Sequence, residues 1–335
     1  MATKYILILG EDGDISIDIV MCWINRLWEH SIVRINGSDD IKTVSILASN
    51  DDNSQFEIEL SNGIIIKSQE IHSYWYRRGY LKYTQVRAKN NNEIKFLKLV
   101  NKYYLDEWEY ISEYLFYLLD NVKIRTLNKF SDNNINRLIV HEIARKNGLH
   151  IPKTLISNDL QKITSFLKEN PITITKTIRN PGKSEVFQNQ ILSFAQGTNL
   201  FSYNDLAAID PCEFYQPTLF QEYINKQYEV RTFYIDTKFY SMAILSQDNE
   251  KTKVDFRNYD DEKPNRFIPI ILPQNVEFSL QKTMMDLNIN CGSIDLIYEG
   301  SEYFFLEINP VGQFDWVSKN CNYNIERAIA EYLVK

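Results

Sequence analysis

Two carboxylates and an amide near the C-terminus are spaced in a way that could hold a metal ion. The stretch YFFLEINPVGQFDW, residues 303–316, begins as a strongly apolar strand yet carries Glu307 and Asn309. Because side chains alternate between the two faces of a strand, Glu307 and Asn309 project to the same side. A buried carboxylate without a partner is energetically costly, so this one needs either a metal cation or a neutralising Arg or Lys.

A hairpin just upstream supplies a further oxygen ligand. If the stretch SIDLIYEGSEYFFLEIN turns at residues 299–301, Asp295 comes to lie roughly opposite Glu307, with Asn309 on the same face. Two carboxylates and one amide oxygen suit Mg²⁺ and not zinc. Since bound Mg²⁺ is commonly completed by substrate phosphates, the three residues predict a nucleotide site. We therefore expect a metal, and not a neutralising arginine, as the partner of the carboxylates.

Residues upstream could contact such a nucleotide. Lys176 stands alone among strand-forming residues in TITKTI, where it is either an anion ligand or a strand-edge lysine. In QEYINKQYEVR an apolar strand passes into polar residues, and the backbone at Glu222 to Ile224 could pair with an adenine edge. The other candidates in these segments are Gln221, Tyr223, Glu229 as an acceptor for ribose hydroxyls, Arg231 on the same face as Glu229, and Arg137 in the helix over 134–147.

The first third of the chain predicts an open α/β domain. The pattern indicates, in order, strands over 5–10 and 33–37 around a helix over 14–30, a hairpin turning at Asn62-Gly63, a strand over 71–79 and an amphipathic helix over 92–120. We place a domain boundary after this helix, which gives an N-terminal α/β domain over 1–122.

After residue 122 the pattern of apolar and polar residues changes and predicts an α+β half of the chain. The expected elements are a helix capped by Asn133 or Asn134 and ending near Asn147, a strand over 151–157, a helix over 163–170, a strand over 171–178, one strand over 185–194, strands over 214–224 and 228–245, a hairpin over 293–310 and a helix from 322. We divide it into a central subdomain over 123–213, with a loop on the phosphate side, and a C-terminal subdomain over 214–335 that carries the Mg²⁺ site.

Composition excludes several classes of protein. The net charge is −7, and the sequence contains no basic stripe of useful length. Both observations argue against nucleic acid or an anionic membrane as a partner. Four scattered cysteines and four scattered histidines form no zinc pattern and fit a reducing cytoplasm. No stretch approaches the ~20 apolar residues of a membrane span, so we expect a cytoplasmic protein.

Over about residues 125–335 the chain resembles the ATP-grasp ligases. The resemblance rests on Lys176, QEYI, Glu229, the strand of Asp295 and LEINP, in this order. The stretches GEDGDISIDIVMCWI, WYRRG, NGLHIPKTLISND and EINPVGQFDW are similar to the microviridin-type peptide maturases (graspetide synthetases), closest to their grasp-with-spasm branch. The resemblance implies an ATP-grasp fold with an N-terminal open α/β (pre-ATP-grasp) domain.

The resemblance also implies an activity. ATP would phosphorylate side-chain carboxylates of a ribosomal precursor peptide with leader and core, and a Ser/Thr hydroxyl or a Lys amine would then form an ester or an amide. We favour the ester from the branch, and the family suggests a homodimer. The implied roles are Lys176 on the α/β-phosphates, Glu222 to Ile224 on adenine, Glu229 on ribose, Asp295, Glu307 and Asn309 on Mg²⁺, and Arg231 or Arg257 on the transferred phosphoryl group.

One departure and two other functions stay open. The family usually has Asn-Lys at the start of the helix before GLxIP, whereas Asn136-Arg137 stands here and Asn128-Lys129 comes earlier. Either Lys129 or Arg137 could therefore be the first phosphate ligand. Other readings are an ATP-grasp ligase that adds amino acids to a peptide or small acid, and an inactive ATP-binding module that regulates a partner.

Two surface features also have two interpretations each. Arg77 and Arg78 follow a strand and either clamp a peptide carboxylate or form an ion pair within the protein. The helix over 92–120 has an aromatic face, which favours a core or dimer interface over peptide docking. Its residues are Phe96, Tyr103, Tyr104, Trp108, Tyr114 and Leu115.

Overall fold

The computed structural model of the chain describes residues 4–50, 54–83, 94–121, 124–179, 184–187, 190–193, 197–208 and 216–335. Over these residues it combines helices with parallel and antiparallel sheets, which confirms the predicted α/β plus α+β class. Two sheets belong to the first third of the chain, and the others follow residue 150.

The N-terminal parallel sheet is built from the most apolar strand of the chain. Its order is β2-β1-β6-β8, with strands β1 (Tyr5–Gly10), β2 (Ser31–Asn36), β6 (Ile71–Tyr76) and β8 (Arg125–Leu127). Helix α1 (Ile15–Leu27) connects β1 to β2, and Asp14 caps it by accepting a hydrogen bond from the N–H of Ser16. Every residue of β1 is buried, as its unbroken apolar run predicts.

A second sheet flanks the first and carries the predicted hairpin. Its order is β5-β4-β3-β7, with strands β3 (Asp40–Leu47), β4 (Gln55–Leu60), β5 (Ile65–Lys67) and β7 (Lys82–Tyr83). The Asn62-Gly63 turn joins β4 to β5, where Gly63 takes the positive φ that such a turn requires. Helix α2 (Ile94–Asn121) packs on this region through Trp108, Leu115 and Phe116.

The central part forms a small antiparallel sheet of order β13-β10-β14-β9. Its strands are β9 (Thr154–Ser157), β10 (Thr173–Lys176), β13 (Asn199–Phe201) and β14 (Thr218–Glu222). Helices α3 (Arg137–Lys146), α4 (Leu160–Glu169) and α5 (Tyr203–Ala208) accompany it, and β11 (Ser184–Phe187) pairs with β12 (Gln190–Ser193) as a separate ribbon.

The C-terminal antiparallel sheet carries most of the candidate site. Its order is β17-β16-β15-β18-β19, with strands β15 (Tyr228–Ile235), β16 (Lys238–Leu245), β17 (Arg266–Ile270), β18 (Cys291–Glu299) and β19 (Glu302–Asn309). Helix α6 (Gln274–Asp286) and α3 share a core with one face of this sheet. Helices α7 (Asp315–Cys321) and α8 (Ile325–Val334) share another with β1 and α1, so one continuous core joins the N-terminal and C-terminal sheets.

Three sequence predictions about elements are wrong. The single strand predicted over 228–245 is two antiparallel strands, β15 and β16. The helix predicted from Asn133 or Asn134 starts at Arg137, because Asn136 provides the cap while residues 130–134 form a 3₁₀ turn. The single strand predicted over 185–194 is two antiparallel strands, β11 and β12. The boundaries at 122 and 213 stay predictions, although β14 pairs with the central strands β9 and β10.

No helix in the described part of the chain has both the length and the apolar character of a membrane span. The predicted cytoplasmic location stays a prediction.

Candidate active site

The hairpin of β18 and β19 brings Asp295 directly opposite Glu307. Pairing runs regularly from Glu299 opposite Glu302 to Leu296 opposite Phe305, and it then shifts by one residue. Leu306 is therefore a β-bulge, an extra residue that leaves Leu306 and Glu307 lining the same cavity. The predicted register between the two carboxylates is confirmed.

An arginine accompanies each of these carboxylates, contrary to the expectation of a metal, and not a neutralising arginine, as their partner. Arg137 Nη2 lies 2.9 Å from Glu307 Oε2, and Arg231 Nε lies 2.9 Å from Asp295 Oδ1. Arg231 is adjacent to Asp295 because the two residues pair across β15 and β18. Each ion pair engages one carboxylate oxygen. The charges of this wall are thus balanced within the protein, which lowers the cost of burying them.

The donor set still fits a hard cation. Burial raises the pKa of Asp295, Arg231 opposes this shift, and the nearby Glu307 carboxylate reinforces it, so a positive ion here would favour the ionised acid. No group of three or more His, Cys, Asp or Glu side chains that could hold a metal occurs among the described residues. An ion held by Asp295 and Glu307 would therefore draw further ligands from the Asn309 amide and from a substrate.

Lys176 lies at the end of β10 and lines the same cavity as both carboxylates. Burial lowers the pKa of Lys176 to about 8, with Glu307 opposing the shift and Arg137 and Arg257 adding to it. A cation so poorly solvated gains more from an incoming anion than an exposed lysine would. The anion-ligand interpretation is therefore favoured over that of a strand-edge lysine.

The segment after β14 presents its backbone to this cavity. The N–H of Glu222 donates to Lys153 O at 3.0 Å, and the N–H of Tyr223 donates to Ile172 O at 3.1 Å. Of the three backbone N–H groups in the predicted segment, two are thus used within the protein, and only the N–H of Ile224 has no acceptor among the described residues. The side chain of Gln221 donates to Thr154, while its buried carbonyl oxygen has no partner in the described structure.

Glu229 has a buried cationic partner that the sequence did not reveal. Lys226 Nζ lies 2.6 Å from Glu229 Oε1 and also donates to Val254 O at 2.9 Å. Ser246 donates to the same carboxylate oxygen. Burial raises the pKa of Glu229, and the Lys226 ammonium opposes the shift. The spacing of three residues between Lys226 and Glu229 was the available signal. It indicates an ion pair only within a helix, whereas Lys226 precedes β15 and Glu229 lies in it.

Arg257 is fixed by Asp255 through two hydrogen bonds, 2.8 Å from Nε and 2.6 Å from Nη2. The Arg257 guanidinium lowers the pKa of Asp255 against the effect of burial. Of the two candidates for the first phosphate ligand, Arg137 lines the cavity, whereas Lys129 is absent from its described lining.

The residues predicted to contact nucleotide, metal and phosphoryl group, apart from Lys129, line two adjoining cavities, which share Arg137, Phe256, Arg257 and Glu307. The narrower cavity contains Lys176, Gln221, Glu222, Tyr223, Ile224, Glu229 and Asp295, with apolar walls from Ile174, Ile297 and Leu306. The wider cavity, of about 1190 Å³, contains Arg231 and Asn309 and extends to Arg179, Tyr259, Asp260, Asp315 and Trp316.

The predicted clamp by Arg77 is not available to a ligand. Only 3% of the Arg77 side chain is exposed, and its guanidinium donates to the backbone O of Val311 at 2.6 Å. Arg78 is one-third exposed and donates to the same carbonyl at 3.3 Å. The interpretation as interactions within the protein is therefore favoured.

No protein-family model matches the sequence, and no curated protein matches it. Solved structures match over the full length. A RiPP-associated ATP-grasp ligase of Chryseobacterium gregarium, in complex with ADP and a leader and core peptide, is similar with a TM-score of 0.78 and 25% identity, covering 99% of this chain and 96% of that chain. The chain has the ATP-grasp ligase fold.

Two further solved structures share this fold to different degrees. The macrocyclase MdnC of Microcystis aeruginosa, bound with the precursor peptide MdnA, has a TM-score of 0.73 at 23% identity, covering 98% of this chain and 99% of that chain. D-alanyl-alanine synthetase A of Vibrio cholerae has a TM-score of only 0.52 at 10% identity, covering 100% of this chain and 98% of that chain. The predicted resemblance to the ATP-grasp peptide maturases is confirmed, and the grasp-with-spasm branch stays a prediction.

Proposed function

We propose that the protein is an ATP- and Mg²⁺-dependent ligase. It phosphorylates Asp or Glu side chains of a ribosomal precursor peptide and closes them onto Ser or Thr hydroxyls as macrocyclic esters. The observation that carries the proposal is the position of Asp295 and Glu307, which face each other where a narrow cavity meets a wide one. The lining of the narrow cavity offers contacts to a nucleotide, and the volume of the wide one, about 1190 Å³, suits a peptide.

The narrow cavity offers a nucleotide both apolar and polar contacts. Ile174, Ile297 and Leu306 provide apolar surface for a base, and the N–H of Ile224 is the donor for its edge. Glu229 would accept ribose hydroxyls, with Lys226 holding its carboxylate in place. Lys176 would bind the α/β-phosphates, because little solvent competes with them for a half-buried ammonium.

The metal residues complete the nucleotide site. Asp295, Glu307 and Asn309 would hold Mg²⁺, which when bound neutralises charge on the phosphate oxygens. Arg137 and Arg231 each pair with one of these carboxylates and would keep the side chains oriented. Arg231 also lies with its guanidinium carbon 5.6 Å from the ring centre of Trp316, so its position is fixed from two sides.

The reaction proceeds in two steps. A carboxylate oxygen of the peptide attacks the γ-phosphorus of ATP, ADP leaves, and an acyl phosphate forms. A Ser or Thr oxygen of the same peptide then attacks the acyl carbon, phosphate leaves, and the hydroxyl proton passes to solvent. Arg231 and Arg257, which line the wide cavity, would stabilise the charge that develops on the transferred group. The net change in the peptide is the loss of one water for each ring.

The alternative chemistries use the same first step. Attack by a Lys amine would give an amide, and attack by a free amino acid would add a residue to a peptide or small acid. The wide cavity, about 1190 Å³, favours a peptide over a small acid. A regulatory module without activity would have no need of opposed carboxylates beside a phosphate-binding lysine.

Coupling of ATP turnover to the peptide tests the proposal. The precursor peptide encoded beside this protein should stimulate ADP formation, with one ADP for each water lost. A matched peptide with every core Asp and Glu changed to Asn and Gln should give no stimulation, because an amide oxygen cannot accept the γ-phosphate productively. Equal ADP formation with both peptides would contradict the proposal.

We also propose that the protein is a homodimer formed through α2. Four aromatic side chains seven residues apart, Phe96, Tyr103, Tyr110 and Tyr117, are each more than half exposed among the described residues. Lysines 98 and 102 lie in the first third of α2, and acidic residues 106, 107, 109, 113 and 120 all follow them. An antiparallel pair of α2 helices would cover the stripe and bring opposite charges together.

A further inference from the structure

A buried arginine of the N-terminal domain holds the loop that follows the proposed metal strand. Arg77 follows β6, and its backbone N–H donates to Leu9 O of β1 at 2.9 Å. Its Nη1 donates to the carbonyl oxygens of Val311 at 2.6 Å and of Gly312 at 3.3 Å. These contacts join two parts of the chain that are more than two hundred residues apart.

The held loop begins immediately after Asn309. Residues 310–314 have no regular structure, so their carbonyl groups depend on partners outside a helix or sheet. The N–H of Gly312 donates back to Asn309 O at 2.9 Å, and Ser293 Oγ donates to Gln313 O at 3.0 Å. Because Ser293 pairs with Asn309 across β18 and β19, the loop is fixed from the strand side as well.

The approach of the loop to β18 is too close for a side chain at position 312. A Cβ atom at Gly312 would lie 2.5 Å from Ser293 Cβ and 2.9 Å from Asn309 O. The loop is therefore pressed between β18 on one side and the Arg77 guanidinium on the other. A shift of the loop away from Arg77 would move Asn309, since the Gly312 to Asn309 hydrogen bond joins them.

The same guanidinium is balanced and stacked inside the protein. Arg77 Nε lies 3.2 Å from Asp14 Oδ2 as an ion pair, and this carboxylate is also the cap of α1. The guanidinium carbon lies 5.3 Å from the ring centre of Phe314, at the far end of the loop. Arg77 thus contacts both the middle and the end of the segment that leads from Asn309 to Trp316.

We propose that Arg77 is a positioning residue for the metal-binding end of the site. It acts through the loop over 310–314 by holding Asn309, and it touches neither nucleotide nor metal itself. The inference rests on the proposed function, because it assumes that Asn309 binds Mg²⁺ beside a nucleotide. It assigns the N-terminal domain an indirect part in Mg²⁺-dependent nucleotide binding.

The test compares ADP affinity in saturating Mg²⁺ with ADP affinity in EDTA, by calorimetry on the full chain. Arg77→Met should reduce the Mg²⁺-dependent gain in affinity on the order of tenfold, as expected when a group that orients a metal ligand is removed. Its affinity in EDTA should stay within about twofold of the unmodified protein, since Lys176 and Ile224 are untouched. Arg77→Lys keeps a charge beside Asp14 but lacks the planar guanidinium that spans Asp14 and the loop carbonyls, so it should show the same selective loss if Arg77→Met fails to fold.

Arg78→Met is the matched control, because Arg78 makes one longer bond to the same carbonyl from a partly exposed position. It should leave both affinities within about twofold. An equal loss of ADP affinity in Mg²⁺ and in EDTA would mean that Arg77 has only a general structural role, which would overturn the inference. Unchanged ADP affinities in both Arg77 variants would overturn it as well. If the unmodified protein binds ADP in neither condition, the proposed function itself fails.

Discussion

Asp295 and Glu307 face each other across β18 and β19 because Leu306 is an extra residue in β19. A regular hairpin closed by Glu299 and Glu302 would set Asp295 opposite Leu306. The bulge leaves Phe305 and Ile308 in the core on one face and places Leu306 beside Glu307 on the other. One added residue therefore gives the cavity both an apolar wall and an acid.

Leu306→Ala should weaken ADP binding by about tenfold, the equivalent of about 1.4 kcal/mol of lost apolar contact with the base. Leu306→Met, which nearly conserves volume, should keep affinity within a few-fold and serves as the control. Calorimetric titration of ADP measures both. Unchanged affinity in Leu306→Ala would mean that the base lies elsewhere.

Asp295→Asn and Glu307→Gln should each lower peptide-dependent ATP turnover by at least about 100-fold, because each removes a charge proposed to bind Mg²⁺. Removal of Mg²⁺ with EDTA should abolish turnover of the unmodified protein to the same degree. Steady-state ADP release measures the effect, with circular dichroism to check the fold.

Glu302→Gln is the control for these variants, since Glu302 lies in the same strand but is half exposed and pairs with His150. Its turnover should be unchanged. If Asp295→Asn and Glu307→Gln were each as active as this control, neither residue would be a ligand of the metal.

The lowered pKa of Lys176 predicts that nucleotide binding weakens at alkaline pH. Burial sets this pKa at about 8, so the ammonium carries its charge below pH 8 and loses it above. Without Mg²⁺, ADP affinity should therefore fall as pH rises from 7.5 to 9.5, by up to about tenfold for each pH unit above 8. Lys176→Met should bind weakly with no such trend. A flat profile for the unmodified protein would contradict the role of Lys176.

Tyr110→Glu should convert the proposed dimer to a monomer, because it places a charge in the middle of the aromatic stripe of α2. Light scattering after gel filtration measures the mass. Tyr80→Glu is the control, since Tyr80 is also exposed but lies outside α2. A monomeric unmodified protein, or a dimer that survives in Tyr110→Glu, would rule out this interface.

Much of the site could be predicted from the sequence, because its residues break the pattern of their elements. Glu307 and Asn309 stand out in an apolar strand, Lys176 stands out among strand formers, and Asn62-Gly63 fixes a hairpin. The hairpin near Gly300 was also predicted from local sequence, although Glu299 belongs to the strand and not to the turn as predicted. These features depend on alternation and turn chemistry, which are visible in one segment at a time.

The missed features depend on contacts between distant segments. Nothing in the sequence near Glu307 shows that Arg137 would reach it, or that Arg77 would reach Val311. The predicted helix start at Asn133 or Asn134 was wrong because several asparagines stand in a row, and the sequence does not show that Asn136 is the one whose side-chain oxygen accepts from a helix N–H. The bulge at Leu306 required knowledge of which residues on β18 face the core.

Intact mass of the precursor peptide, after incubation with the protein, ATP and Mg²⁺, tests the central claim most directly. We expect stepwise loss of one water for each ring, with the water restored by mild base because the bonds are esters. Water loss that mild base does not reverse would show that the bonds are amides and not esters. A gain in mass would indicate addition of a separate amino acid. A peptide of unchanged mass, with ATP and Mg²⁺ bound to the protein, would contradict the claim that this site crosslinks peptides.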